Sequence, residues 1–197
     1  MMRPRILTLC GAVLLLAVAQ PAVTAGDGAL SFVNSAPAGT ATRVVDVRDQ
    51  SVCEKASLAG ARCLPAADLF DGNGAPVDFH ILRWLLGTIG LTGQERVLVA
   101  GDNADKTAAV GALLLLAGQH DVAVLDRPVA IPAGARGGTS RSITREAVFI
   151  APMRDRLLAA APDETAEIAS GPPSERLRTF ARRTADATQP VKLRLSP

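Results

Sequence analysis

RVLVAGDNADKTAAVGALLLLAGQHDVAVLD, residues 96–126, is the stretch that decides the fold. Arg96-Val97-Leu98-Val99-Ala100 is a compact apolar run of strand length, and Val122-Ala123-Val124-Leu125-Asp126 is another. Strands apolar at successive positions are buried on both faces, which predicts a mainly parallel sheet with helices on either side. Between the two runs lie a polar loop, Gly101-Asp102-Asn103-Ala104-Asp105, and an almost wholly apolar segment from Lys106 to Ala117, closed by Gly118. That segment is predicted to be an interior helix. At about 12 residues it falls short of the roughly 20 needed to cross a bilayer.

The same alternation extends outward. Arg43–Arg48 is predicted as a strand ending in charged residues, Gln50–Ser57 as one or two helical turns, and Ala61–Leu64 as a second extended segment closed by Pro65. Asp71-Gly72-Asn73-Gly74 is turn chemistry. From Asp78 to Leu91, the residues Phe79, Leu82, Leu85, Leu86 and Ile89 recur at helical spacing, with Asp78 as N-cap. Trp84 is read as a packing residue of that helix. His80 and His120 are read as surface or helix-end residues, because no cysteine or carboxylate stands near them at metal-ligand spacing. Beyond residue 127, Pro128 to Thr139 is expected to be a flexible connection and Ile143–Ala161 a helix. Pro162–Pro173 follows as a linker, Ser174–Ala187 as an Arg-rich helix, and Val191–Leu195 as an edge strand. There is no internal repeat.

The N-terminal 25 residues are predicted to be a secretory signal peptide. Arg3 and Arg5 form a positive head, Ile6–Ala19 an apolar run too short for a membrane anchor, and Ala22, Val23 and Ala25 a small-residue exit, with cleavage expected after Ala25 and Ala19 as the second option. The division is therefore 1–25 signal peptide, 30–130 α/β domain, and 131–197 basic, partly helical extension, with a periplasmic or secreted location. The whole chain of 197 residues, 48% apolar and with a formal charge of +2, is neither disordered nor basic enough for nucleic-acid binding by electrostatics. Charge is unevenly spread. Residues 26–126 carry 7 basic and 12 acidic side chains, and residues 127–197 carry 12 and 7. The extension is thus able to lie back on its own domain, engage an acidic protein, or touch a membrane surface peripherally. Cys53 and Cys63 are the even pair left after the leader, which carries Cys10. In an oxidising compartment they are expected to form a structural disulfide, the alternative being a reactive or redox thiol pair. No metal site and no cofactor are expected.

Three stretches resemble the rhodanese (thiosulfate sulfurtransferase) family. Val45-Asp46-Val47-Arg48 resembles the family's first strand, which ends in Asp-x-Arg. Ala56-Ser57-Leu58-Ala59-Gly60-Ala61-Arg62-Cys63-Leu64-Pro65 resembles its Gly-His-Ile-Pro-Gly-Ala motif with the following Leu-Pro, although the first Gly, the His and the first Pro are replaced. Residues 97–126 resemble the half of the domain that carries the active site. The match runs from about residue 30 to 130 and implies a rhodanese-like sheet with helices on both faces. By the same resemblance, Cys53 and Cys63 fall on scaffold positions.

In active members a cysteine directly follows the central strand. Its thiolate accepts a sulfur atom as a persulfide and passes it to a thiophile such as cyanide, inside a loop whose amides favour negative charge. That position is Gly101 here, so the resemblance implies a member without the nucleophile, and Gly101-Asp102 is similar to the non-catalytic N-terminal domain of tandem rhodaneses. The loop Gly101, Asp102, Asn103, Ala104, Asp105, Lys106 and Thr107, with Arg48, remains a candidate small-anion site. Asp102 and Asp105 work against an anion, and either is a candidate cap for the following helix. Two functions follow: a catalytically inactive binding or regulatory module for a protein partner or small anion, or a periplasmic sulfurtransferase or thiol redox protein using Cys53 and Cys63.

Overall fold

The computed structural model describes residues 29–36, 42–159, 168 and 170–195; residues 1–25, expected to be a signal peptide, lie outside them. The elements, in order, are β1 Ala29–Val33, β2 Thr42–Asp46, α1 Gln50–Lys55, β3 Arg62–Cys63, α2 Phe79–Thr88, β4 Arg96–Ala100, α3 Ala104–Ala117, β5 Asp121–Leu125, β6 Thr139–Ser140 and α4 Pro173–Asp186, with 3-10 turns at Ala66–Asp68 and Asp155–Leu157. Six strands form one sheet in the order β1-β5-β4-β2-β3-β6, and every pairing is parallel. The sheet is consistent with the expected rhodanese-like α/β fold.

Alternation along β4 divides the core. Val97 and Val99 join the large cluster formed with α2, α3 and α4, while Leu98 and Ala100 join a smaller one on the opposite face, closed by Val33, Val44, Leu58 and Val129. α3 is buried from Thr107 to Ala117 because it lies between the sheet and α4, which explains the absence of a polar face. Gly118 at φ +113° ends it in the left-handed conformation, with its N–H returned to the last turn. α4 is one-sided by comparison, burying Leu177, Phe180 and Ala181. Arg178 pairs with Asp105 at 2.8 Å and Arg182 with Asp126 at 2.5 Å, while the Arg182 guanidinium lies 4.0 Å from the Phe32 ring centroid. The basic helix therefore rests on the acidic half of the chain.

Several expectations require correction. β1 was not foreseen; it pairs with β5 along one sheet edge. α3 begins at Ala104 rather than Lys106, and its cap is neither Asp102 nor Asp105 but Asn103, whose side chain accepts from the Lys106 N–H at 3.0 Å. Residues 143–154 are not helical. They form an extended strap whose amides bond to the ends of other elements, Glu146 and Ala147 to the Gly87 carbonyl, Ile150 to Thr92 and Arg154 to Leu116. Pro152 cannot continue a helix, and Phe149 and Ala151 are buried in alternation. Ile143, read as the first residue of that helix, is 93% exposed. The connection from Pro128 is ordered at its end, where the Gly138 N–H bonds to the Cys53 carbonyl, Thr139 bonds to Ala61, and β6 joins β3. Most of the Pro162–Pro173 linker lies outside the described residues, and Pro173 is already the first residue of α4. Val191–Leu195 does not join the sheet; Leu193 makes isolated bridges to Leu158 and Ile168. Trp84 is 38% exposed on α2 rather than packed in the core.

Candidate functional site

β2 leads to β3 on one side, whereas β4 leads to β5 on the other, so the carboxyl ends of β2 and β4 flank the point where the strand order reverses. Open parallel sheets bind ligands at such a point. A cleft of about 920 Å³ lies there. Its walls are Val47, Arg48 and Asp49 after β2, Asp102, Asp105 and Lys106 at the start of α3, the Phe70–Gly74 turn, and Ser174, Glu175 and Arg178 of α4. Of the residues singled out from the sequence, Arg48, Asp102, Asp105 and Lys106 reach the cleft, whereas Gly101, Asn103, Ala104 and Thr107 do not line it.

Arg48 spends its Nε/Nη2 edge within the chain. Its Nε donates to Asp46 Oδ1 and Oδ2 at 3.0 and 3.1 Å, and its Nη2 to Oδ2 at 2.5 Å and to the Ala56 carbonyl at 2.8 Å. Asp46 is 1% exposed and also accepts from Ser57 Oγ at 2.5 Å. The hydrogen bond to Asp46 raises the Arg48 pKa, outweighing the opposite effect of burial, and the charges of Asp46 and Asp102 add to it. Arg178 is likewise engaged, by Asp105 and, at 3.4 Å, by Glu175. The lining thus holds five carboxylates, Asp49, Asp71, Asp102, Asp105 and Glu175, against three cations, two of them already paired.

Gly101, the first residue after β4, is buried. A Cβ built on it would lie 2.5 Å from Thr107 Oγ1 and 2.9 Å from Val47 Cγ2, closer than side chains approach one another. Thr107 Oγ1 is fixed by a 2.7 Å bond to the Asn103 carbonyl.

Cys53 and Cys63 are joined in a disulfide, with Cα atoms 5.9 Å apart. Both are 0% exposed, and a Cβ on Gly138 would meet both sulfurs, so the β6 segment covers the bridge closely. Neither cysteine lines the cleft. Among the described residues, no group of three or more His, Cys, Asp or Glu is placed to hold a metal ion, and no helix is long and apolar enough to cross a membrane. The contribution of α4 and of the Phe70–Gly74 turn to the cleft was missed from the sequence. The only signal was the opposite charge of the two halves.

No family model matches this chain, and no curated protein does. Among solved structures, it is similar to YnjE at 16% identity and a TM-score of 0.49, covering 61% of this chain and 31% of that one. It is also similar to a variant of EanB in complex with ergothioneine (15% identity, TM-score 0.47, 62% and 34% covered) and to a probable thiosulfate sulfurtransferase (18%, 0.41, 63% and 54%). The chain spans about a third of the length of the first two.

Proposed function

We propose that this protein is an exported, catalytically inactive rhodanese-like module that binds a partner in the cleft between the ends of β2 and β4. The observation that carries this reading is Gly101. The position that the resemblance assigns to the sulfur-carrying thiolate has no side chain, and Thr107 and Val47 occupy the space one would need. Between a small anion and a protein partner, the balance of charge favours a protein presenting a neutral or basic surface, because Arg48 and Arg178 are already committed to carboxylates. The thiol-based alternative is weakened by the burial of the Cys53–Cys63 bridge. The three-part leader and the Cys53–Cys63 bridge support export, and with it a periplasmic or secreted location. Arg176, Arg178 and Arg182 are engaged within the chain, which speaks against a membrane role for the extension.

A thiosulfate:cyanide sulfurtransferase assay on the mature protein, with mass spectrometry of the same sample, tests the reading. No turnover is expected, together with a chain beginning at Gly26 and lacking the two thiol hydrogens. Gly101→Cys alone is expected to create no turnover, because the new side chain has no room. Turnover by the wild type, or a chain heavier by one sulfur atom, would overturn the proposal.

A further inference from the structure

A second cavity, sharing no lining residue with the cleft, lies between the start of β1, the last turn of α3 and the end of α4. Its volume is about 310 Å³, at the lower end of the range for small-molecule pockets. Leu30, Leu115 and Leu157 give it apolar walls, and Arg154 is its polar group of interest. Arg156 also lines it and is already engaged within the chain.

Arg154 is half used. Its Nη1 donates to the carbonyls of Leu115 and, at 2.8 Å, of Gln119, which places the cation at the negative end of α3. Among the described residues its Nε and Nη2 make no hydrogen bond, no carboxylate pairs with it, and neither nitrogen is sealed from solvent. These two nitrogens form the edge of a guanidinium that grips a carboxylate side-on, and Arg48 uses that same edge on Asp46. Burial holds the Arg154 pKa below its usual value, and no acid offsets the effect. The Thr184 hydroxyl is buried with no hydrogen-bond partner. That hydroxyl is sealed from solvent and therefore from the cavity, whereas the open guanidinium edge of Arg154 calls for an acceptor oxygen.

We propose that this cavity binds a small amphiphilic carboxylic acid. Its carboxylate is taken by the Nε/Nη2 edge of Arg154, and its apolar body lies against Leu30, Leu115 and Leu157. A free phosphate or a purely polar anion would leave the leucine walls unused.

Titration calorimetry of the full mature chain with octanoate, beside octanol as the uncharged analogue, tests this. Octanoate is expected to bind saturably and raise Tm, and octanol to bind at least tenfold more weakly. Arg154→Lys keeps a cation near the α3 carbonyls but loses the two-pronged edge. Arg154→Met removes the cation and keeps an apolar side chain of similar length. Each should weaken octanoate at least fivefold. Absence of saturable octanoate binding, equal binding of octanol, or wild-type affinity in either variant would overturn the proposal. Sulfurtransferase activity has no bearing on any of these outcomes.

Discussion

Asp46 and Arg48 are two residues apart on the sequence and form the most heavily bonded side-chain pair near the cleft. A carboxylate 1% exposed is tolerable only because Arg48, Ser57 and the Arg48 amide all donate to it. Removing one partner leaves the other buried and uncompensated, so Arg48→Ala is expected to cost about 3–5 kcal/mol, read as a lower urea midpoint. Wild-type stability in that variant would show the pair to be solvated. Glu95 offers a pH test. Burial pushes its pKa up, but the Thr92 hydroxyl and the amides of Thr92 and Gly93 outweigh it, so the folded value lies below the ordinary 4.5. A depressed folded pKa gives stability that is complete above about 4.5 and lost as pH falls through the folded value. Glu95→Gln is therefore expected to lower stability at neutral pH by about 1 kcal/mol and to flatten the loss in acid, measured by denaturant titration from pH 7 to 3.

The elements differ in how openly the sequence declares them. β4, α3 and β5 could be placed to within two residues because uninterrupted apolar runs leave the chain no alternative but the interior. β1 escaped notice because it lies at a sheet edge and shows only Leu30 fully buried among its five residues. The strap over residues 143–154 was misread for a different reason. Val148, Met153, Leu157 and Leu158 fall at spacings that mimic a helix, yet the buried residues are Phe149 and Ala151, chosen by where the ends of α2 and α3 present open carbonyls. Tertiary contacts of that kind leave no local trace. α3 itself is held close to the sheet at Gly111, where a Cβ would run into the Val124 side chain. Gly111→Ala, which improves intrinsic helix propensity, is nonetheless expected to destabilise by about 1–3 kcal/mol in thermal unfolding. A gain in Tm would mean that α3 can move outward at no cost.

On the scale of the whole molecule, the cleft could be only half anticipated. The loop after β4 and Arg48 converge as the order of strands dictates, but the opposite wall comes from α4, about 70 residues further along. Nothing in a single sequence fixes where a one-sided helix docks; here Leu177 and Phe180 against α3, with the Arg178 and Arg182 pairs, settle it. The Cys53–Cys63 link closes a 10-residue separation, so the double serine variant is expected to lose on the order of 2–3 kcal/mol without change in any sulfur-transfer background. A loss of activity in that variant would instead revive a thiol mechanism.

The sealing of α3 on every side bears on how the protein is made. One of its flanks packs against α4, so a nascent chain that has already emerged past Ala117 holds that apolar flank uncovered until Asp186 follows. At about 5–20 residues per second of synthesis, the interval amounts to several seconds. During that time the unfinished polypeptide is sticky, and its solubility depends on whatever else in the cell is ready to shield it.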